Sequence, residues 1–332
     1  MAVVAQVGIG YWGINILRAL LDLDRVEVKY ACDADQGKIE AARKNYSQVK
    51  YLSDYEDIIN DNEVQAVIIS TPVPTHFNLA KKALAAKKHV FIEKPITLKS
   101  QEARELVKLA KRNDRKLMVG HLLLYHPVIK SLKEALTRGS IGQPLYMYFR
   151  RTNLGKVRTV ENVLWSVAPH DISIFLYLLD KKPSQTTARG ACYLQPDIED
   201  VVFTSFAYES GEIVHLHNSW LDPFKERKIV VVGEKGMLVA DEMASQGKLM
   251  LFNKYVQRTP GSTEFKYTDK GAVAVVYDNK EPLKAELEHF IDCLENDKEP
   301  LSNGENGLTV LCVLEAAQES LKNDARPVKI KY

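Results

Sequence analysis

The strongest constraint on the fold is an alternation, through the first third of the chain, of short apolar runs with amphipathic stretches. Apolar runs that lack strict alternation and are separated by helices indicate parallel strands buried on both faces. We therefore predict an α/β, doubly wound Rossmann domain over residues 1–121. Its predicted strands are 3–7, 26–32, 66–70, 89–92 and 116–119, and its predicted helices are 12–21, 35–45, 75–86 and 100–113.

The pattern changes after about residue 122, where alternating runs and tight glycine turns become frequent. This pattern is typical of antiparallel strands, so we predict a second domain over 122–332 with a large, mostly antiparallel sheet flanked by helices. We expect this domain to bind substrate and to form oligomers, with its terminal helices packing back on the first domain. The predicted helices are 128–138, 169–179, 283–296 and 304–323, and the predicted strands are 145–151, 186–194, 201–208, 213–220, 228–232, 237–240, 248–253 and 328–331.

Composition excludes several classes of function. The 332 residues are 45% hydrophobic and 27% charged, with a net charge of +2 and no basic stripe, so we predict no nucleic-acid partner. No apolar run approaches the roughly 20 residues that span a bilayer, and the first residues do not read as a signal peptide. The four cysteines are scattered, which favours reduced thiols. We expect a cytoplasmic protein without membrane contact.

A glycine-rich turn follows the first predicted strand directly. Gly8, Gly10 and Gly13 form a G-x-G-x-x-G motif that permits a tight turn and close approach of a dinucleotide pyrophosphate. Asp33 ends the second strand, where its carboxylate would accept hydrogen bonds from the adenosine ribose and repel a 2′-phosphate. The cofactor is therefore predicted to be NAD, with NADP disfavoured. The alternative for Asp33 is the N-cap of the next helix.

Two further strand ends carry polar residues. Residues at the carboxyl ends of parallel strands face the ligand crevice, so Glu93-Lys94-Pro95 is a candidate for function there, although a solvated ion pair is the alternative. Residues after the preceding strand would border the nicotinamide half of the cofactor, or else form a loop that caps the next helix. They are Ser70, Thr71, Pro72 and His76.

These motifs together resemble the Gfo/Idh/MocA family of oxidoreductases, over nearly the whole chain. Residues 10–15, 120–127, 151–158, 162–171 and 219–227 are similar to its branch acting on nucleotide-linked amino sugars, which includes UDP-N-acetylglucosamine and uronic-acid 3-dehydrogenases. The resemblance implies that Lys94 lies beside the nicotinamide and the reacting carbon, that His170 is the acid–base group, and that Glu93 contacts the nicotinamide ribose. At Ser166 the family commonly has an aspartate, so one candidate for proton relay is missing.

The resemblance also implies wider cofactor and substrate contacts. Tyr11 and Trp12 belong to the cofactor motif, although packing against the first helix is the favoured alternative to substrate contact. Basic side chains such as Arg158 suit a diphosphate, or are solvated loop cations. His121 is either a substrate contact or a packing residue, and His170 is alternatively a residue in the first turn of a helix. The predicted substrate-binding residues are Lys94, His121, Tyr125, Arg158, Asn162, Trp165, Ser166 and His170.

The leading hypothesis is an NAD-dependent dehydrogenase that oxidises C3 of a nucleotide-linked N-acetylamino sugar. The alternatives are another sugar or cyclitol dehydrogenase, a 3-ketosugar reductase, and a non-catalytic NAD-binding regulator. No metal site is predicted, since His215 and His217 lack a third ligand with recognisable spacing. We also expect a homodimer or homotetramer, formed through an exposed apolar sheet face that includes Val230, Val232 and Leu238.

Overall fold

The computed structural model describes all residues from 1 to 332, and the chain divides into two compact units. The first unit comprises Met1–Tyr125 and Lys280–Leu311, and the second comprises His126–Asn279 and Cys312–Tyr332. No helix is both long and apolar enough to cross a membrane.

The first unit contains a six-stranded, wholly parallel sheet in the order β3-β2-β1-β4-β5-β6. The order reverses direction between β1 and β4, which is where open α/β sheets bind ligands. This confirms the predicted Rossmann class. The elements of residues 1–125 are β1 Ala2–Val7, α1 Gly13–Leu21, β2 Val26–Cys32, α2 Gln36–Asn45, β3 Lys50–Leu52, α3 Tyr55–Asn60, β4 Ala66–Ile69, α4 His76–Ala85, β5 His89–Glu93, α5 Ser100–Arg112 and β6 Leu117–Gly120.

The central strands of this sheet are buried on both faces. All four residues of β4 and all four of β6 are buried, which explains why these strands read as continuous apolar runs. The pattern did not predict β3 and α3, because a three-residue edge strand and a six-residue helix are too short to show a period.

The second unit contains a nine-stranded sheet in the order β14-β13-β12-β11-β7-β10-β9-β8-β15. Only β10 and β7 pair in parallel, so the predicted, mostly antiparallel sheet is confirmed. The remaining elements of the chain are α6 Pro127–Thr137, β7 Pro144–Leu154, α7 Val163–Leu179, β8 Gln185–Ala191, β9 Val201–Ala207, β10 Ile213–Ser219, β11 Leu221–Gly233, β12 Gly236–Asp241, β13 Leu249–Arg258, β14 Phe265–Ala274, α8 Pro282–Glu295, α9 Gly304–Lys322 and β15 Val328–Lys329.

Helix α7 begins six residues earlier than the sequence predicted. Pro169 was expected to open the helix, but α7 starts at Val163 and contains the proline. The start is set by Asn162, whose side-chain oxygen accepts a hydrogen bond from the backbone N–H of Trp165 at 3.0 Å. His170 consequently lies in the middle of the helix, and the alternative that placed it in the first turn is wrong.

The exposed apolar residues of the second sheet also differ from expectation. Val230 and Leu238 are buried, and Leu238 lies opposite Val231 in the register of β11 and β12. Helix α6 packs on β12, whereas Val230 projects from the face opposite to that of Val231 and Leu238. The large apolar side chains that are exposed on strands of this sheet lie mainly elsewhere, at Leu145, Tyr146, Val256, Phe265, Tyr267 and Val273. Strand β14 was not predicted, because most of its residues are exposed.

Candidate functional site

The turn between β1 and α1 requires glycine at two of its three motif positions. Gly8 has φ +91°, a conformation that favours glycine, and a Cβ there would lie 2.8 Å from the backbone of Ser70. A Cβ on Gly13 would lie 2.1 Å from the carbonyl oxygen of Gly8. Gly10 differs, because no atom lies within 4 Å of its Cβ position. The first and third glycines therefore serve packing, and the second faces open space.

Gln6, which the sequence analysis did not identify as functional, stabilises the glycine-rich turn through hydrogen bonds. It is fully buried, and its amide nitrogen donates hydrogen bonds to the carbonyl oxygens of Gly13 at 2.6 Å and Gly8 at 3.1 Å. The Ser70 hydroxyl donates to the same Gly8 oxygen at 2.7 Å. Ser70 is thus a positioning residue for the glycine-rich turn. A single polar residue inside the apolar β1 run was the available signal for Gln6.

Asp33 lies at the end of β2, next to the glycine-rich turn. One carboxylate oxygen accepts from the backbone N–H of Ile9 at 3.0 Å, and the other accepts from that of Asp35 at 3.0 Å. The alternative role of Asp33 as helix N-cap is wrong, since Asp35 caps α2 by accepting from the N–H groups of Gly37 and Lys38. These two backbone hydrogen bonds hold Asp33 beside the glycine-rich turn, and its contact with a ribose stays a prediction.

A cleft of about 690 Å³ opens over this edge of the sheet. Its volume falls in the range of small-molecule and cofactor sites. Its open Gly10 backbone, the N-terminal end of α1 and the Asp33 carboxylate together fit a dinucleotide. Of the predicted cofactor residues it is lined by Gly8, Gly10, Tyr11, Trp12, Asp33, Ser70, Thr71 and Pro72, and also by Val7, Cys32, Ala34, Asp35, Lys38, Ser53, Tyr55, Thr75 and Leu79.

Trp12 links the glycine-rich turn to the end of β5. Its indole N–H donates a hydrogen bond to Glu93 Oε1 at 2.8 Å, and the backbone N–H of Lys94 donates to Glu93 Oε2 at 3.2 Å. Tyr11 is 93% exposed. The expectation that these aromatic residues pack against the first helix is therefore wrong for Tyr11, and Trp12 instead fixes the Glu93 carboxylate.

His76 supports the site without lining the cleft. It is fully buried, and its ring nitrogens lie 2.9 Å from the carbonyl oxygen of Thr71 and 3.0 Å from that of Pro95. The imidazole therefore braces the loop after β4 against the loop after β5. Its prediction as a cofactor contact is wrong, because the ring is enclosed between these two carbonyl groups.

His121 follows β6 and interacts electrostatically with Lys94. It is 1% exposed, and neither ring nitrogen has a hydrogen-bond partner. Burial, and then the Lys94 ammonium, lower the pKa of His121 to about 3. The imidazole of His121 is therefore neutral and buried, which favours packing over the predicted direct contact with substrate.

Near Glu93, which is partly buried, lies a fully buried carboxyl group, that of Glu286 on α8. Glu286 is fully buried and neither of its oxygens has a hydrogen-bond partner. Burial, and then the Glu93 carboxylate, raise the pKa of Glu286 well above its usual value. Burial also raises the pKa of Glu93, against the opposing effects of Trp12 and Lys94. We expect Glu286 to keep its proton at neutral pH, which avoids two buried negative charges.

Tyr125, predicted to bind substrate, belongs to the interior of the first unit. It is 1% exposed, its hydroxyl lies 3.0 Å from Ser302 Oγ, and its ring centroid lies 5.3 Å from that of His289. The prediction is wrong for this side chain, because its hydroxyl and its ring are both enclosed by α8 and the residues after it.

In the second unit, helix α7 carries the predicted acid–base residue. His170 is partly buried, and Ser166 lies on the same helical face because it precedes His170 by four positions. Asp171 is 1% exposed and is committed elsewhere, since it accepts from Arg151 Nε at 2.7 Å and from Asn218 Nδ2 at 3.0 Å. It therefore anchors the turn of α7 that holds His170.

The other predicted substrate residues of this unit have structural partners. Besides capping α7, Asn162 donates to Glu199 at 2.6 Å and to Gln318 at 2.9 Å, which contradicts its prediction as a substrate contact. The indole N–H of Trp165 donates to the same Gln318 oxygen at 2.9 Å. The Arg158 side chain is 45% exposed and lies 3.9 Å from Glu161, an arrangement that fits a solvated loop cation. No group of three or more His, Cys, Asp or Glu side chains is arranged to hold a metal ion.

Comparison with known proteins agrees with this geometry. Residues 3–121 match the model of the oxidoreductase family with an NAD-binding Rossmann fold, and residues 129–239 match the Gfo/Idh/MocA C-terminal domain. The chain belongs to the Gfo/Idh/MocA oxidoreductase family, and it is an oxidoreductase of the sugar and cyclitol class.

Individual relatives are distant but span the whole chain. A myo-inositol 2-dehydrogenase from Thermotoga maritima is 23% identical over 342 residues, covering 99% of this chain and 98% of the relative. The structure of UDP-N-acetylglucosamine 3-dehydrogenase GnnA from Acidithiobacillus ferrooxidans matches with a TM-score of 0.84, 21% identity and 98% coverage of both chains. An oxidoreductase from Agrobacterium radiobacter, crystallised with NAD⁺, L-tartaric acid and magnesium, matches with a TM-score of 0.83, 22% identity and coverage of 99% and 98%. At these identities the structures show a shared fold.

Alanine substitutions in the glycine-rich turn should separate binding from folding. In Gly10→Ala the new methyl group enters open space, so the thermal midpoint should stay near the wild-type value. NADH affinity should fall about tenfold or more, because the backbone can no longer approach the pyrophosphate. Gly13→Ala should instead lower the thermal midpoint strongly. Fluorescence titration with NADH and thermal unfolding test both variants, and unchanged NADH affinity in Gly10→Ala would contradict the assignment.

Replacing Glu286 by glutamine should stabilise the protein increasingly as pH rises. The folded-state pKa of Glu286 lies above its unfolded value, so its contribution is complete below the unfolded pKa and is lost as pH rises through the folded pKa. Glutamine resembles the protonated acid but cannot ionise. Urea unfolding at about pH 5 and about pH 9 should show a larger gain at the higher pH.

The matched control for this experiment is Glu288→Gln on the same helix. Its side chain is 30% exposed and pairs with Lys280. This control should show no gain that grows with pH. An equal effect of Glu286→Gln at both pH values would show that Glu286 does not hold a proton in the folded protein.

Proposed function

We propose that this chain is an NAD-dependent dehydrogenase that oxidises the C3 hydroxyl of a nucleotide-linked N-acetylamino sugar, either UDP-N-acetylglucosamine or its uronic acid. The observation that carries the proposal is the position of Lys94 directly after β5, on the sheet edge that bears the glycine-rich turn and Asp33. The choice of sugar is supported by the similarity of five sequence segments to that branch of the family. It is also supported by the fold shared with GnnA.

NAD is proposed over NADP because of the charge at the rim of the cleft. The Asp33 side chain is 10% exposed, and both of its oxygens already accept backbone hydrogen bonds that hold it in place. A 2′-phosphate would approach this fixed carboxylate and be repelled. The ammonium group of Lys38 lies 3.5 Å from Asp33 Oδ1. Asp33 therefore partly offsets the positive charge of Lys38, which is the charge that could otherwise attract a 2′-phosphate.

The proposed chemistry assigns a separate role to each reacting residue. NAD⁺, when bound, accepts the hydride that leaves the substrate carbon. His170 takes the hydroxyl proton, because imidazole titrates near neutral pH. Lys94 donates a hydrogen bond to the same oxygen and stabilises its developing negative charge. Trp12 supports the Glu93 carboxylate, which is proposed to contact the nicotinamide ribose.

Other functions remain as alternatives with specific support. The similarity to a myo-inositol 2-dehydrogenase favours a cyclitol substrate as the second candidate, and a 3-ketosugar reductase would use the same residues in the opposite direction. A non-catalytic NAD-binding regulator is favoured only by Ser166 at the position where the family commonly has an aspartate. A homodimer or homotetramer is proposed because apolar side chains are exposed on the second sheet, including Phe265 and Tyr267.

A substrate screen tests the proposed reaction. The protein is incubated with UDP-hexosamines, UDP-hexuronic acids and inositols, each with NAD⁺ and separately with NADP⁺. NADH absorbance should rise with a UDP-N-acetylamino sugar and NAD⁺, and mass spectrometry should show a product two hydrogens lighter than the substrate. Turnover of an inositol alone would reject the proposed substrate, and binding of NADH without any turnover would favour the regulator.

Substitution of the two proposed catalytic residues tests their roles. Lys94→Met and His170→Ala should each lower kcat by about 10²–10⁴-fold, with NADH affinity changed far less. Matched controls are Lys99→Met and His215→Ala, which replace exposed residues of the same types. The pH profile of kcat/KM should show an ionisation near neutral pH in the wild type, and this ionisation should be missing in His170→Ala. Nearly unchanged hydride transfer in either catalytic variant would reject that role.

A further inference from the structure

Two arginines lie directly opposite each other on neighbouring strands of the second unit. Arg227 of β11 pairs with Arg151 of β7, and Asn218 of β10 pairs with Arg151 from the other side. Residues that pair directly project from the same face of a sheet, so the three side chains form one row. Arg151 contacts Asp171 of α7, which shows that this row faces the helix.

The negative charge of Asp171 is already used within this row. Its two oxygens accept one hydrogen bond from Arg151 and one from Asn218, and all three side chains are buried. This arrangement satisfies Arg151, whose pKa is raised by Asp171 and by Glu242 against the opposing effect of burial. Asp171 forms an ion pair with Arg151 and none with Arg227, so it offsets the charge of Arg227 only at longer range.

Arg227 has no carboxylate partner in the structure. It is partly buried, and its Nη1 donates to two backbone carbonyl oxygens, those of Thr152 at 3.1 Å and Glu226 at 2.8 Å. Glu242 and Asp171 raise the pKa of Arg227, although neither forms an ion pair with it within 4 Å. Burial, and then the Arg151 cation, lower the pKa of Arg227. In the protein without ligand, the positive charge of Arg227 is therefore only partly offset and lies next to the positive charge of Arg151.

Like charges placed directly opposite each other destabilise a sheet, and proteins tolerate such conflicts mainly at functional sites. We propose that Arg227, backed by Arg151, binds an oxyanion group of the substrate, either a carboxylate or a phosphate. A planar guanidinium with free N–H groups matches both groups. This inference rests on the proposed function, because it assigns the acidic part of the same substrate. It makes an anionic sugar derivative the preferred substrate class.

The position of the pair supports a role in substrate binding. Asp171, which holds Arg151, follows His170 directly in α7, so the arginine row is tied to the helical turn that carries the proposed acid–base residue. Arg158 is less suited to the same role, since it is more exposed and lies 3.9 Å from Glu161. A partly desolvated guanidinium binds an anion more strongly than an exposed one.

The test compares Arg227→Gln with Arg150→Gln by calorimetric titration of the full chain. Arg150 precedes Arg151 in β7, projects from the opposite face and pairs with Glu226 at 2.7 Å. The probes are UDP, inorganic phosphate and D-glucuronate, each titrated with and without NADH. At least one probe should bind the wild type, and Arg227→Gln should weaken that binding by about tenfold to a hundredfold. Arg150→Gln should change it by less than about twofold.

The pattern of loss identifies the bound group. Weaker binding of glucuronate alone assigns a carboxylate, and weaker binding of UDP and phosphate assigns a phosphate. Without ligand, Arg227→Gln should unfold at the wild-type temperature or above it, because the substitution removes the repulsion from Arg151. The proposal is overturned if the wild type binds none of the probes, if Arg227→Gln binds them equally well, or if both variants lose binding alike.

This experiment is independent of turnover, so the two proposals can fail separately. If no UDP-hexosamine is oxidised but Arg227→Gln still loses anion binding, the proposed substrate is wrong and the anion site stands. If UDP-N-acetylglucosamine is oxidised with an unchanged KM in Arg227→Gln, and this variant also binds glucuronate as the wild type does, the reaction stands and the anion site is rejected.

Discussion

The close packing of the glycine-rich turn against β1 and β4 is the constraint on which the first unit depends. The carbonyl oxygen of Gly8 lies where a side chain on Gly13 would be, and the buried Gln6 amide donates to both carbonyl groups. These contacts fix where α1 begins and therefore where its unpaired N–H groups point. They also leave the Gly10 backbone uncovered, and an uncovered backbone is what a pyrophosphate requires.

The sequence predicted this part of the structure well because local pattern and tertiary role agree there. The five predicted apolar runs form strands β1, β2, β4, β5 and β6. Strands that are buried on both faces can be recognised as continuous apolar runs in the sequence alone. Prediction failed where two local signals compete and where a residue distant in the sequence decides the outcome. Pro169 is a good first residue for a helix, but the Asn162 cap starts α7 earlier. The Glu286 carboxyl could not be assigned to the site, because only folding brings α8 beside Glu93.

Two pairs of ionisable residues in the structure depart from the usual rules of burial and charge pairing. One is the pair of Glu93 and Glu286, which places a fully buried carboxyl group near a partly buried one in the first unit. The other is the pair of Arg151 and Arg227, which places two cations opposite each other in the second unit. Neither pair is explained by its contribution to folding stability, because well-packed apolar residues at these positions would often give an equal or larger free energy of unfolding. Each adjoins a residue with a proposed role in the reaction.

Serine at position 166, in place of the aspartate that the family commonly has, bears on the acid–base role proposed for His170. Asp171 cannot replace it, because both of its oxygens are occupied by Arg151 and Asn218, and because adjacent positions on a helix project in different directions. An aspartate four residues before a histidine would share its face and would raise the pKa of the imidazole. Serine gives the imidazole of His170 no such support. We therefore expect the reaction to depend more on the Lys94 ammonium, which would stabilise the negative charge that develops on the substrate oxygen.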